Sequence, residues 1–144
     1  MFDRPQGISR VLILAGLALL MPRPVLASGY VVIGEESLRK LAIISPTPGY
    51  PTTSKQNRAT GVSVTKFYVD EKGHVENIQV LQAPDQFIEA SLVKAISQWK
   101  FQPYHFNGRT RRVLGKLTFY FTLERGRGDV QNPRFTIFSK DRQR

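Results

Sequence analysis

The residues from Val113 to Leu123 alternate between two sets of side chains, and this pattern constrains the fold more than any other feature of the chain. One set is almost entirely apolar: Val113, Gly115, Leu117, Phe119, Phe121 and Leu123. The other set is mixed: Leu114, Lys116, Thr118, Tyr120, Thr122 and Glu124. A period of two predicts a β-strand that buries one face in a core. Because this strand exceeds the usual length of about five or six residues, we expect part of its edge to extend beyond its neighbours and to recruit another strand unless it is blocked.

A β-hairpin is predicted before this strand. The runs Gly61–Val69 and Val75–Leu81 are separated by the turn Asp70–Gly73, in which Gly73 suits a positive φ. The two runs should therefore pair in antiparallel fashion.

The first strand of the hairpin alternates imperfectly. Phe67 and Val69 share a face with Ser63 and Thr65, so both faces are partly apolar. Either the strand is covered on both sides, or a bulge near Thr65 switches its parity.

Helices are predicted on either side of the hairpin. Pro51 suits the first turn of a helix that runs to about Arg58 and that Gly61 closes. Asp85 is placed to accept hydrogen bonds from the free amides at the start of a second helix. The apolar residues of that helix recur at helical spacing and must lie on the sheet: Ile88, Leu92, Ala95, Ile96 and Trp99. A brief helix over Glu35–Ala42 has acids in its first turn and bases near its end, which suits the helix dipole.

The connection to the long strand contains two recognisable pieces. Trp99 is expected to anchor the fold rather than to bind a ligand. The residues Tyr104–Gly108 are predicted to be a loop, in which Asn107-Gly108 is a strong turn signal.

The chain begins with a candidate export signal. Residues 1–27 have a weakly basic start, the apolar run Val11–Met21 and then Pro22-Arg23-Pro24. This layout is that of a secretory signal peptide, with cleavage after Ala27. An uncleaved signal anchor in the inner membrane is the alternative. In either case we expect everything after Ser28 to face the exported side, which is the periplasm.

The remainder divides into one domain with two flanking segments. Residues 28–47 form an N-terminal extension, residues 48–124 the domain, and residues 125–144 a basic tail. Within the tail, Arg134–Phe138 is predicted to be a further short strand, which could pair with the long strand and occupy its edge.

Positive charge dominates the composition. The chain has 21 Lys+Arg against 11 Asp+Glu, a formal net charge of +10, and much of the excess lies in the C-terminal third. Arg109, Arg111 and Arg112 are the candidate anion-binding residues. Lipid phosphates, lipopolysaccharide or an acidic protein face would suit this charge, whereas nucleic acid is not an expected partner of an exported protein. A merely solvated basic surface is the alternative.

No catalytic or metal site is expected. The chain has no cysteine, which excludes disulfides and thiolate chemistry. Its two histidines, His74 and His105, lie in a predicted turn and a predicted loop without a neighbouring serine and carboxylate. We therefore predict no enzyme activity, no metal, no cofactor and no small-molecule substrate.

Several of these pieces together resemble the C-terminal domain of TonB-type energy transducers. The matching motifs, in order, are Tyr50-Pro51, the strand that ends in Phe67-Tyr68-Val69-Asp70, Gly73-His74-Val75, the helix with Ala95, Trp99-Lys100-Phe101-Gln102-Pro103 and the final apolar strand. The resemblance implies an α+β fold: a three-stranded antiparallel sheet with two helices packed on one face, with an extra short C-terminal strand possible. It also implies structural roles for Gly61, Gly73, Trp99, Phe101 and Pro103.

The same resemblance implies a periplasmic protein-binding module in TonB-dependent transport across the outer membrane. Such modules dock receptor segments by strand addition. The partner would be an outer-membrane TonB-dependent receptor or another transport-system protein, and exposed strand edges also allow a homodimer. The candidate partner-binding residues are Tyr50, Pro51, Leu114, Lys116, Thr118, Tyr120 and Thr122. The alternative function is a basic exported domain that binds anionic lipid or nucleic-acid phosphates without energy transduction.

Overall fold

A computed structural model describes residues 29–132. In chain order the elements are β1 (Tyr30–Val32), α1 (Glu35–Leu41), β2 (Ala42–Ile44), α2 (Thr52–Gln56), β3 (Gly61–Val69), β4 (Val75–Gln82), α3 (Gln86–Ile96), β5 (Lys100–Phe101), β6 (Tyr104–Phe106), β7 (Arg109–Glu124) and β8 (Arg127–Gln131). The predicted leader, the last part of the basic tail and the strand predicted at Arg134–Phe138 lie outside the described residues.

Three antiparallel strands form the centre of the main sheet, in the order β4-β3-β7. Strands β3 and β7 pair from Gly61 with Phe121 to Val69 with Val113 without a register shift. Three short strands complete the sheet on β7: β1 is parallel to it, whereas β6 and β8 are antiparallel. A separate small sheet pairs β2 with β5.

One face of the central sheet carries the hydrophobic core. The alternating residues of β3 and β7 supply one layer, and the helices supply the other, because the apolar stripe of α3 is fully buried against the sheet. The largest buried side chains are Trp99, Phe67, Phe119, Phe121, Leu38, Ile88, Leu92, Ile96 and Leu117. The predicted α+β fold with an antiparallel sheet and helices on one face is therefore confirmed.

The helix boundaries follow local chemistry. Asp85 is the N-cap of α3, since its carboxylate accepts a 2.8 Å hydrogen bond from the amide of Ile88. The same carboxylate accepts a hydrogen bond from the hydroxyl of Ser54, which ties α2 to the start of α3. Pro51 is the N-cap of α2 rather than a residue of its first turn, and this helix ends at Gln56, two residues before the predicted Arg58.

Trp99 lies just after α3 and is almost completely buried, with 1% of its surface exposed. Its indole Nε1 donates a 2.9 Å hydrogen bond to the carbonyl of Pro46, which satisfies the one polar atom of the ring. The ring also packs edge-on against Phe119 of β7, with the centroids 6.3 Å apart. Trp99 thereby joins the end of the helix, the proline-rich entry segment and the sheet.

Two predictions about the strands differ from the structure. Tyr104–Phe106 is a short strand, not a loop: it forms a hairpin with the start of β7 around Asn107 and Gly108, both at positive φ. Of the two alternatives for the first hairpin strand, the bulge near Thr65 is not in β3, whose burial alternates regularly. The extra residues lie in the partner strand β4, where the register shifts twice.

The regular alternation of β3 buries two hydroxyl groups in the core. Ser63 and Thr65 have no exposed surface, and among the described residues neither hydroxyl has a hydrogen-bond partner. A buried hydroxyl without a partner costs free energy, since it has lost its bonds to water.

We expect Thr65→Val to raise the free energy of unfolding by about 1 kcal/mol, because the methyl group fills the same space without an unsatisfied hydroxyl. Thr118→Val on β7 is the matched control: its hydroxyl donates a 3.0 Å hydrogen bond to Glu35, so this variant should be destabilised. Urea unfolding of both variants measures the two changes. Destabilisation of Thr65→Val to the same extent as Thr118→Val would contradict the prediction.

The turn between β3 and β4 is organised by the Asp70 carboxylate. It accepts hydrogen bonds from the amides of Lys72 and His74, at 2.9 and 2.8 Å. Burial raises the pKa of the Asp70 carboxyl, but the hydrogen bonds from the His74 and Lys72 amides, together with the side chain and charge of His74, lower it, so its net pKa lies below the ordinary value. Gly73 is required here, because a Cβ at this position would lie 1.9 Å from the carbonyl oxygen of Phe101.

A depressed folded-state pKa means that the ionised Asp70 stabilises the hairpin above the unfolded pKa, and that this contribution is lost as the pH falls through the folded pKa. The difference in unfolding free energy between the native chain and Asp70→Asn should therefore be largest above about pH 5 and should shrink below about pH 4. Urea unfolding across this pH range measures it. A difference that does not change with pH would contradict the assignment.

Candidate partner-docking edge of strand β7

The outer edge of β7, defined as the edge that does not pair with β3, is covered in pieces. Strand β3 occupies the inner edge from Val113 to Phe121. Because β1 pairs with residues 112–114 and β8 with residues 120–124, both strands must lie on the outer edge. Within the described part of the chain, no strand lies opposite residues 115–119 on that edge.

Side chains of α1 fill the middle of this gap, at Thr118. The amide of Thr118 donates a 2.8 Å hydrogen bond to Oε1 of Glu35, and its hydroxyl donates to Oε2 of the same carboxylate. The Nη2 of Arg39 donates a 2.9 Å hydrogen bond to the carbonyl of Thr118. We call this arrangement the Glu35–Arg39 clasp. It supplies one acceptor and one donor where a neighbouring strand would supply its own backbone groups.

The helical spacing of α1 makes the clasp possible. Glu35 and Arg39 are four residues apart, so they lie on the same face and form an ion pair in which Nε of Arg39 lies 3.1 Å from Oε1 of Glu35. The Arg39 guanidinium also lies 5.6 Å from the centre of the Phe119 ring. Both groups of the clasp are thus held by each other as well as by β7.

Leu38 fixes α1 against the sheet. Its side chain is 1% exposed and packs directly over Gly115 of β7. A Cβ at position 115 would lie 2.5 Å from a Leu38 methyl group, so a glycine is needed for the helix to approach this closely. The predicted extension is therefore packed into the same core as the domain.

The five candidate docking residues of β7 lie on one face of the strand. Leu114, Lys116, Thr118, Tyr120 and Thr122 project away from the core, in alternation with the buried row. Lys116 and Tyr120 are exposed, whereas Thr118 is held by the clasp. The structure thus presents these five residues as one row that crosses the gap between β1 and β8.

Tyr50 lies at the β8 end of β7, on the core face of the sheet and not on the face that carries this row, and Pro51 follows it as the N-cap of α2. The Tyr50 ring packs edge-on against Phe121, with the centroids 5.3 Å apart, and lies beside Gly128 of β8. Its hydroxyl donates a 2.6 Å hydrogen bond to the carbonyl of Ala59. Desolvation and the Asp85 charge both raise the pKa of Tyr50, so the phenol stays neutral and remains a donor.

The three candidate anion-binding arginines do not form one free patch. Arg112 forms an ion pair with Glu76, at 2.6 Å, and its guanidinium lies 4.7 Å from the centre of the Tyr68 ring. Arg109 and Arg111 lie in the hairpin between β6 and β7, and within residues 29–132 neither forms an ion pair. Two of the three arginines are therefore available to an anion.

The two histidines lie far apart in the sequence and in different elements. His74 contacts the Asp70 carboxylate in the β3–β4 turn, at 3.3 Å. His105 lies near the carbonyl of Pro103 in β6. In the described range, no cluster of three or more residues with metal-binding side chains occurs.

None of the helices between residues 29 and 132 is long and apolar enough to cross a membrane.

Sequence reasoning missed the clasp. The Glu35-to-Arg39 spacing was visible as a charge pattern that suits the helix dipole, but the carboxylate contacts a residue that is 83 positions away in the chain. No local pattern identifies such a contact.

Comparison with known proteins identifies the class of this domain. Residues 46–123 match the family described as Gram-negative bacterial TonB protein C-terminal. Since the match covers just over half of the chain, this protein belongs to the TonB C-terminal family. The family is a non-enzymatic, transport-associated one, and its domains are periplasmic in Gram-negative bacteria. The chain accordingly has a TonB-like role in TonB-dependent transport.

A search of solved structures found similarity to the solution NMR structure of the Pseudomonas aeruginosa TonB CTD. The two are 25% identical, the alignment covers 60% of this chain and 88% of that chain, and the TM-score is 0.49. No curated protein matches the chain.

The region that matches the family does not include the elements that cover the outer edge of β7. The match begins at residue 46 and ends at residue 123, whereas β1 and α1 lie before it and β8 lies after it. Every element that covers the outer edge of β7 therefore comes from outside the matched region.

The packing of Leu38 on Gly115 can be tested by a double-mutant cycle. Gly115→Ala should destabilise the fold by about 1–3 kcal/mol, because the new methyl group overlaps Leu38. Leu38→Ala alone should also destabilise it, through the cavity. The double variant should be more stable than the sum of the two changes indicates, since the shorter side chain relieves the overlap. Strictly additive changes in unfolding free energy would contradict this contact.

Proposed function

We propose that this chain is a docking module of TonB-dependent transport that binds an extended segment of an outer-membrane receptor, or of another transport protein, along the outer edge of β7. The observation that carries this proposal is a mismatch in length. Strand β7 has 16 residues, but among residues 29–132 the strands that pair with its outer edge have only 3 and 5 residues. An edge with an interrupted ladder is a favourable place for strand addition.

The docked segment would bond to β7 through its backbone and be selected through its side chains. Strand addition uses main-chain hydrogen bonds for affinity and alternate side chains for specificity. The row from Leu114 to Thr122 would contact every second residue of the segment. Tyr50 lies on the other face of β7, at its β8 end, so it would support the edge from the core side rather than contact the segment.

This function requires that the domain be exported, and it requires no catalytic residues. The leader at residues 1–27 would deliver the domain to the periplasm, either free after cleavage or held at the inner membrane as an anchor. In both cases the docking edge would face the compartment into which receptor segments project.

Of the three candidate arginines, Arg109 and Arg111 support the anion-binding alternative, whereas Arg112 is engaged by Glu76 and Tyr68. A phosphate binder should lose affinity steeply as salt rises, whereas strand addition should be much less sensitive. Salt dependence therefore separates the two functions.

Peptides that cover the N-terminal segments of TonB-dependent receptors encoded in the same genome are the probes. Binding is measured by calorimetry at two salt concentrations. A peptide that binds is then remade with one N-methyl group at each position in turn. Because successive backbone amides of a strand point to opposite sides, methylation should weaken binding at every second residue.

Loss of affinity at alternate positions, with little effect of salt, is the expected result. Three outcomes would contradict the proposal: no receptor peptide binds, methylation has no periodic effect, or affinity falls steeply with salt. The last of these would favour the anion-binding function.

A further inference from the structure

We infer that the β1–α1 segment, residues 30–41, is an intramolecular occupant of the docking edge, and that a partner strand binds β7 only by displacing it. This inference rests on the proposed docking edge. It adds a regulatory element to the docking module. This element is not part of the region that matches the family, because β1 and α1 lie before residue 46.

The first argument is that the segment provides hydrogen-bond partners for backbone groups on the outer edge of β7. Strand β1 pairs with residues 112–114, and the amide of Ile33 continues the ladder with a 3.2 Å hydrogen bond to the carbonyl of Leu114. The clasp then binds both backbone groups of Thr118. Bonds to charged partners are shorter and stronger than those between neutral groups, so the clasp is an effective substitute for strand pairing.

The second argument is that the segment and a docked strand need the same space. A partner strand would lie about 4.8 Å from β7 along the gap, where α1 now places the clasp. Side-chain exposure is 23% for Glu35 and 14% for Arg39, so little room is left beside Thr118. The two arrangements exclude each other.

The third argument is that release of the segment removes only a small part of the core. Strand β1 has three residues, and Val32 is 69% exposed. Leu38 is the one side chain of α1 that is fully buried. The end of the segment and the residues that follow are held separately: the carbonyl of Leu41 accepts a 2.8 Å hydrogen bond from the amide of Gln102, and β2 pairs with β5. The β1–α1 segment can therefore detach from β7 while β2 and the rest of the domain stay in place.

Such an occupant reduces the apparent affinity of any partner by the fraction of molecules in which the edge is open. Weakening the clasp should increase that fraction and so strengthen docking. This direction is the reverse of the usual effect of mutating a binding site, which makes it diagnostic.

The test uses the full chain with Glu35→Ala and Arg39→Ala combined, so that no unpaired charge remains. The matched control combines Glu36→Ala and Lys40→Ala, which remove the other ion pair of α1 at the same spacing, where the side chains are 54% and 73% exposed. Both variants lose one helical ion pair, but only the first loses contact with β7.

The first measurement needs no partner. In the clasp variant, hydrogen exchange of the Thr118 amide should accelerate by about ten-fold or more, because its acceptor is lost. The amides of Leu117 and Phe119 should remain protected, since alternate residues of β7 bond to β3. This local pattern distinguishes release of the edge from a general loss of folding. The control variant should exchange like the native chain.

The second measurement is the affinity of a receptor peptide that shows the alternate methylation pattern. The clasp variant should bind it several-fold more tightly than the native chain, and the control variant should not. Unchanged exchange at Thr118, or accelerated exchange with unchanged or weaker peptide binding, would overturn the inference. Failure of every peptide to bind would instead contradict the proposed function, and the exchange measurement would still decide whether the clasp closes the edge.

Discussion

The pairing of β3 with β7 is the interaction on which the rest of the structure depends. Nine consecutive residue pairs hold the two strands in one register. This register aligns the buried row of β3 with the buried row of β7, so that the rings of Phe67, Phe119 and Phe121 form one apolar surface. Trp99 and α3 cover that surface. A slip of one residue would turn each row to the solvent, so the core and the register enforce each other.

The same pairing leaves two sheet edges, and the chain protects them by different means. Within the described residues, β4 pairs with β3 alone, and its free edge is distorted by two register shifts and by Asn77 at a φ of 49°. Bulges of this kind make an edge a poor template for another strand. The outer edge of β7 is regular in itself and is covered by three separate pieces: β1, the Glu35–Arg39 clasp and β8. Of the two edges, the one at β7 is therefore the better suited to regulated binding.

Local signals were sufficient for the centre of the fold. The alternation of β7, the turn at Asp70–Gly73 and the N-cap at Asp85 act within a few residues, and each appears in the structure as predicted. Among the elements that cover the outer edge, α1 has a local charge pattern that predicts a helix, but nothing in the sequence near β8 predicts a strand. Two residues separate β8 from β7, in a segment rich in glycine and charge, so only its pairing with β7 makes it a strand. The clasp depends on contacts between distant parts of the chain, which a pattern of neighbours does not contain.

The candidate site also combines features that local sequence predicts with features that depend on tertiary structure. The row from Leu114 to Thr122 could be predicted because side-chain direction follows from strand periodicity alone. Whether that row is available to a partner depends on tertiary structure, since availability is set by what lies beside the backbone. The affinity of a docked strand would be the difference between its own pairing with β7 and the pairing that it replaces. A chain that carries its own substitute for the partner can thus change its affinity through residues that the partner never contacts, and Glu35 and Arg39 are placed to do so.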